Sequence, residues 1–460
     1  MTVQPAPMIG TFQLTDLLEV LQGTMRGTDV ELASVSTDTR TMRKDDLFVA
    51  LKGENFDGDD YVGIAAEKGA CAGLVGRYSN CNLPQLKVAD TTRALGRLGN
   101  LNRQRSNARI IAITGSQGKT TVKEMAGRIL TGFSDTLVTQ GNLNNAIGVP
   151  LTLLRLEESN RFAVLELGAN APGEIAWTAA LVQPDVAVIT NAAGTHLEGF
   201  GSLRGVVAAK GEILDGLLAE GVAILNLDDP HVEVWRERAK GKRIATFSIS
   251  NKKADYRATA IDQGIQGQSV FTLVTPTESG EVCLRLPGLH NVANAVAAAA
   301  AVMEAGAGFD SVVAGLTGMS PVKGRMSIMK GSGNSTLIDD SYNASPSSFH
   351  AAIQVLAAYP GTRILVAGDM RELGTDSDAA HRAVGKMARI AGIDAVLSIG
   401  ESSRLTAEAF GSGGKHFATM QELIDGCRLL MNDTTTVLVK GSRSSGMDKI
   451  VDQLKINEAT

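Results

Sequence analysis

Apolar residues along this chain recur in two rhythms. Short continuous apolar runs at 110–114, 163–167, 185–190 and 222–226 alternate with longer stretches that start at Lys119, Glu174 and Ser202 and repeat at about 3.6 residues. Runs apolar on both faces and separated by helices make parallel strands joined by crossover helices. The pattern predicts a central α/β domain over 101–318. Within it, after Ile244, closely spaced runs around 256–261, 270–274 and 282–286 predict an antiparallel extension, followed by a long Ala-rich helix from His290. A turn at Ser320-Pro321-Val322-Lys323-Gly324 ends that unit. Strands at 336–339, 363–367, 395–398 and 436–439, with helical stretches such as 378–391 between them, predict a second doubly wound sheet over 319–460. Ahead of both, residues 1–100 read as a small α/β domain with helices at 14–21 and 61–68 and strands at 46–51 and 73–75.

Size agrees with three units: 460 residues exceed one ordinary core at roughly 100–200 residues per domain. Hydrophobic residues at 44% and charged residues at 20% describe a chain that folds rather than a disordered one. The net charge of -5 supplies no basic face for nucleic acid. Cys71, Cys81, Cys283 and Cys427 lie far apart with no CxxC pair, which suggests neither a zinc site nor a disulfide framework. The first ten residues hold two prolines and no basic residue, unlike a signal peptide, and the Ala-rich stretch 292–303 is too short to span a bilayer. The expectation is a cytoplasmic protein without membrane insertion.

Chemistry concentrates at Gly115-Ser116-Gln117-Gly118-Lys119-Thr120-Thr121. An apolar strand runs into a glycine turn and then a helix, so backbone N–H groups and the helix N-terminus converge on a phosphate while Lys119 adds a point charge. Thr120 is placed to offer its hydroxyl to Mg²⁺. The general phosphate-loop pattern fails only at its first position, Ile113. Glu166 ends an apolar strand and so puts a carboxylate at the carboxyl edge of the sheet, where ligands collect. His196 lies in a loop beyond another strand, where a lone histidine is usually structural. Lys210 lies in an Ala-rich helix, where most lysines are solvated. The fold class is thus α/β in three domains: a small N-terminal α/β domain, a central P-loop ATPase domain with a mostly parallel sheet, and a C-terminal Rossmann-like domain.

Read together, the segments spell a family. The P-loop variant, Glu-Leu-Gly-Ala-Asn at 166–170, His-Leu-Glu-Gly-Phe at 196–200, Ala-Lys-Gly-Glu-Ile at 209–213 and His-Asn-Val-Ala-Asn-Ala at 290–295 occur in order, followed by Gly324-Arg325 and Asp339-Asp340-Ser341-Tyr342-Asn343-Ala344. The chain resembles the Mur ligase family over essentially its whole length. Ser36-Thr37-Asp38-Thr39-Arg40, Gly141-Asn142-Leu143-Asn144-Asn145 and Lys440-Gly441-Ser442-Arg443-Ser444 resemble its branch that adds D-alanyl-D-alanine; the Asp-Asn-Pro-Arg of the diaminopimelate- or lysine-adding branch is absent.

That resemblance implies an ATP-dependent ligase of peptidoglycan precursor synthesis, acting as a monomer on UDP-N-acetylmuramoyl-tripeptide and D-alanyl-D-alanine. It implies that Gly115 to Thr121 hold ATP, that Asn291 and Asn294 meet the adenine, and that Arg325 and Asp340 reach the phosphates and ribose. Thr120, Glu166, His196 and a carbamylated Lys210 are implied ligands of Mg²⁺, two ions in all, and Lys119, Glu166, His196 and Lys210 the catalytic set. Thr37, Asp38, Arg40 and Lys52 are expected at the UDP end, Asn142, Asn144 and Asn145 at the tripeptide, and Asn343 and Ser345 at the incoming dipeptide. The alternative is a P-loop ATPase that works as a switch or motor, which needs no acceptor amine.

Overall fold

The structure, a computed structural model, describes residues 4–53, 55–194, 197–264 and 267–456. Three sheets follow one another along the chain. The first has six strands in the spatial order Ala6–Gln13, Glu31–Ser36, Leu47–Val49, Ala72–Val75, Gln85–Lys87 and Thr24–Arg26. The middle four are parallel and the two outer pairs antiparallel.

The second sheet has nine strands. Arg109–Thr114 lies between Phe162–Glu166 and Val186–Ile189, parallel to both. The chain leaves Arg109–Thr114 through the helix Lys119–Thr131 toward the edge strand Thr136–Val138, returns through Phe162–Glu166, and next appears on the opposite side of Arg109–Thr114. This reversal opens a crevice at the carboxyl ends of the strands, the place where open α/β sheets bind ligands. The parallel part continues through Val222–Asn226, Arg243–Ser248 and Tyr256–Gln263, and the expected antiparallel extension is Tyr256–Gln263, Ser269–Val274 and Ser279–Leu284. The Ala-rich helix Leu289–Glu304 buries Ala295 and Ala297 to Ala301 against one face, their small side chains letting helix and sheet approach closely.

The third sheet, in the order Ser327–Lys330, Thr336–Asp340, Thr435–Lys440, Thr362–Ala367, Ala395–Ile399 and Gly414–Phe417, is parallel except at its first pair. The expected boundary after residue 100 falls inside the helix Thr91–Arg105, which Asp90 starts by accepting the Arg93 N–H and which ends at Ser106 in extended backbone. Ala94, Leu95 and Leu98 of that helix belong to the first core, so it closes the first unit rather than opening the second. Among the described residues no helix is long and apolar enough to cross a membrane.

Candidate active site

Thr114 delivers the chain into a turn that only glycine accommodates. Gly115 and Gly118 have φ of +148° and +80°, and a Cβ would lie 1.9 Å from Thr190 Oγ1 in the first case and 2.3 Å from Asn294 Oδ1 in the second. Neighbouring loops hold the turn open: Gln117 N–H donates to Asn191 Oδ1 at 3.0 Å, and Thr190 Oγ1 donates to Gln117 O at 2.5 Å. Lys119 begins the helix, and its ammonium donates to Gly115 O at 2.7 Å. Burial pushes the Lys119 pKa down, against the upward pull of Glu166, and Arg325 adds to the lowering.

Glu166, buried at its strand end, is held from two sides. Thr120 Oγ1 donates to Oε2 at 2.8 Å and Asn144 Nδ2 donates to Oε1 at 2.8 Å. The third domain closes the constellation. Arg325 donates from Nη2 to Thr120 Oγ1 at 2.9 Å, and Gln117 Nε2 donates to Ser345 Oγ at 3.3 Å and also contacts Ser347. The Arg325 guanidinium lies 4.3 Å from the Tyr342 ring centroid, and the Arg443 guanidinium 5.9 Å from the same ring. Asp340 pairs with Lys440 at 2.5 Å, and Lys440 also donates to Asn343 O at 2.9 Å.

These groups line one cavity of about 770 Å³ between the second and third domains. It brings together Ser116 to Thr121, Asn142, Asn144, Asn145, Glu166, Asn291, Asn294, Arg325, Asp340, Asn343 and Ser345 from the expected set. Asn291 and Asn294 sit on one helix face, Asn294 Nδ2 donating to Asn291 Oδ1 at 3.3 Å. Gly115 contributes the carbonyl that Lys119 bonds.

Other expected residues stand elsewhere. His196 lies outside the described residues. Lys210 is buried and does not line the cavity; its ammonium lies 5.2 Å from the Phe200 ring centroid. Burial, then the charge of Lys119, bring its pKa down to about 7, against the pull of Glu212 and Glu174. Thr37, Asp38, Arg40 and Lys52 do not line the cavity; they belong to the first domain, where Arg40 pairs with Asp38 at 2.7 Å and that hydrogen bond holds the Asp38 carboxyl below its ordinary pKa. Among the described residues no three His, Cys, Asp or Glu side chains form a metal cluster.

Sequence reasoning missed Tyr342, Arg371, Lys440 and Arg443 as lining residues. A signal for Lys440 was available. It ends a strand parallel to the one that Asp340 ends, so the two meet at the carboxyl edge. Missed too was His290, whose burial pushes its pKa down while Asp340 pulls it up.

Comparison with known proteins matches three successive segments of the chain. Residues 31–114 match the catalytic domain of the Mur ligase family, 113–302 the Mur ligase middle domain, and 324–443 the Mur ligase glutamate ligase domain. The Escherichia coli UDP-N-acetylmuramoyl-tripeptide--D-alanyl-D-alanine ligase is 48% identical, covering 96% of this chain and 98% of that protein. A crystal structure of MurF from Acinetobacter baumannii superposes with a TM-score of 0.90 at 37% identity, covering 97% of this chain and 99% of the other. MurF ligase from Thermotoga maritima in complex with ADP superposes with a TM-score of 0.82 at 26% identity, covering 91% of this chain and 96% of the other.

Proposed function

Because the chain belongs to the Mur ligase family, we propose that it joins D-alanyl-D-alanine to UDP-N-acetylmuramoyl-tripeptide with cleavage of ATP to ADP and phosphate. The observation that carries the reading is the chain of bonds from Asn144 through Glu166 and Thr120 to Arg325, which ties the phosphate loop, the asparagine loop and the third domain into one cavity.

In the first step an oxygen of the tripeptide carboxylate attacks the γ-phosphorus of ATP, the bond to the bridging oxygen breaks, and ADP leaves. The acyl phosphate is then attacked at its carbonyl carbon by the dipeptide amine. The tetrahedral intermediate expels phosphate and the amine loses a proton, leaving the new amide. Such phosphoryl transfer depends mainly on positioning and charge neutralisation. Lys119 and the helix N-terminus behind it supply fixed positive potential for the phosphates. Arg325 brings a second cation from the third domain, so the site is complete only when the two domains meet. Asn291 and Asn294 would hold the adenine and Asp340 the ribose. Asn142, Asn144 and Asn145 would hold the tripeptide end, with Asn343 and Ser345 at the dipeptide. Thr37, Asp38, Arg40 and Lys52 would meet the UDP end from the first domain.

The Thr120 hydroxyl and the Glu166 carboxylate, 2.8 Å apart at the cavity wall, are a hard oxygen donor pair. They fit Mg²⁺, which takes few protein oxygens and fills its shell with water and phosphate. Bound there, Mg²⁺ supplies charge neutralisation for the transferring phosphoryl group. Lys210, with a pKa of about 7, presents a largely neutral amine above that pH. As a carbamate it would offer carboxylate-like oxygens to a second Mg²⁺, and His196 would complete the set.

The test is phosphate release from the purified chain with ATP, Mg²⁺ and UDP-N-acetylmuramoyl-tripeptide, with and without D-alanyl-D-alanine. Release that needs both acceptors and equals the pentapeptide formed is the expected result. Release indifferent to the dipeptide would return the chain to the switch or motor reading.

A further inference from the structure

One buried charge has no part in the steps above. Lys123 is fully buried in the helix Lys119–Thr131, four residues beyond Lys119 and three beyond Thr120, and therefore on the same face as both. Its ammonium donates to Thr139 O at 2.9 Å and pairs with the partly exposed Glu124 at 2.8 Å. Burying an ammonium is costly, and an apolar side chain fills a core-facing helix position without that cost. What the ammonium holds is therefore informative.

Thr139 is the last residue stitched to the strand that carries Glu166. Its N–H donates to Val164 O at 3.0 Å, and its hydroxyl accepts the Glu166 N–H at 3.1 Å. From Thr139 the chain enters the asparagine loop. Asn144 donates to Glu166 Oε1 and its carbonyl accepts the Gly168 N–H at 2.8 Å. Asn145 Oδ1 then accepts the N–H groups of Ile147 at 3.2 Å and Gly148 at 2.9 Å, at the start of the next helix. Strand and helix fix the middle and the end of the loop, while at its start Lys123 reaches it directly from the helix that begins at the phosphate loop.

We propose that Lys123 is a positioning residue: by gripping Thr139 O it sets the asparagine loop in register with the phosphate-loop helix, and so places the tripeptide carboxylate against the γ-phosphate. The proposal rests on the functional reading above, in which this loop holds the tripeptide.

Steady-state kinetics of the full-length Lys123→Met variant test it, together with equilibrium ATP binding. The expected result is a rise of about tenfold or more in KM for UDP-N-acetylmuramoyl-tripeptide, with KM and Kd for ATP within about twofold, since small misplacements of a reacting group are felt strongly. In a cycle with Asn144→Ala the two effects should be non-additive, because both act through one loop. Lys123→Gln keeps a donor in the slot without its charge, and the same measurements on it stand if the methionine variant does not fold. Equal changes in both KM values, a lowered Tm with both KM values unchanged, or additivity with Asn144→Ala overturns the proposal. If the unsubstituted chain shows no tripeptide-dependent phosphate release, the functional reading beneath it fails instead.

Discussion

Arg325 donates a 2.9 Å hydrogen bond to the hydroxyl of Thr120, 205 positions earlier, and that hydroxyl donates in turn to Glu166. One oxygen thus joins a guanidinium of the third domain to a carboxylate of the second. Arg325→Ala removes a cation from the phosphate side without touching the asparagine loop or the first domain. The expected outcome is a fall in kcat on the order of 10²–10³-fold, the scale of losing a group that stabilises developing phosphoryl charge. Binding of UDP-N-acetylmuramoyl-tripeptide, measured by calorimetry, should hold nearly constant. Equal losses in binding and turnover would remove Arg325 from the ATP side.

Tyr342 presents its ring to Arg325 and, at greater distance, to Arg443, which Asp448 steadies with a 3.0 Å ion pair. A cation over an aromatic face contributes about 0.5–2 kcal/mol, so Tyr342→Leu should lower kcat by roughly 2- to 30-fold. Tyr342→Phe keeps the face and should stay within about twofold of the unsubstituted chain. If the two variants lose turnover alike, the hydroxyl rather than the ring carries the effect.

Gly118 caps the phosphate-loop helix at a φ of +80° and leaves room for Asn294. In Gly118→Ala the left-handed backbone costs about 1–2 kcal/mol, and the new methyl must displace Asn294 from its bond to Asn291. ATP binding should weaken by on the order of tenfold or more, read by calorimetry. Adding Asn294→Ala should not worsen it by the amount that Asn294→Ala causes alone. Full additivity would mean that the methyl never meets Asn294.

Arg109–Thr114, Phe162–Glu166, Val186–Ile189 and Val222–Asn226 of the second sheet and Thr336–Asp340, Thr362–Ala367, Ala395–Ile399 and Thr435–Lys440 of the third were legible because each carries an apolar run beside a turn or a helix, whereas Thr136–Val138, Arg243–Ser248 and Gly414–Phe417, short or broken by polar residues, were not. Nor was the strand Ala6–Gln13. Pro5 precedes it and Pro7 is its second residue, its pairing with Glu31–Ser36 shifts register between Pro7 and Phe12, and alternation is broken. The helix Thr91–Arg105 was obscured by its arginines and by Gly96 and Gly99, whose value is close packing against Trp177 and Pro150, a tertiary fact. At the site, groups clustered around one short motif could be read directly. That Asp340 and Lys440 each end an apolar run was open to reading, but that the two runs are neighbouring strands, which joins the pair across 100 positions, belongs to the fold alone. No motif or spacing sets Lys123 apart from a surface lysine of an amphipathic helix, and only the folded chain buries it.

Lys210 makes the last prediction a question of pH. Burial and the nearby positive charge of Lys119 lower its pKa from 10.5 to about 7, so the neutral amine dominates above that pH and the ammonium below it. A carbamate forms when the neutral nitrogen attacks CO₂ and releases a proton, so the modified fraction should fall as pH drops through about 7. With ¹³C-labelled bicarbonate, a lysine carbamate carbon signal should appear at pH 8 and fade toward pH 6, and added bicarbonate should restore part of the activity lost near neutrality. Lys210→Arg keeps a cation that cannot be carbamylated, and turnover should fall by on the order of 10²-fold, within the range for losing a ligand's orientation or charge at a metal site. The unmodified chain's stability should move in the same direction: because the unfolded lysine binds its proton up to about 10.5 and the folded one releases it near 7, folding gains stability as pH rises between those values. A labelled sample without the carbamate signal, together with an arginine variant of undiminished turnover, would leave Lys210 as a buried structural amine whose charge the reaction does not use.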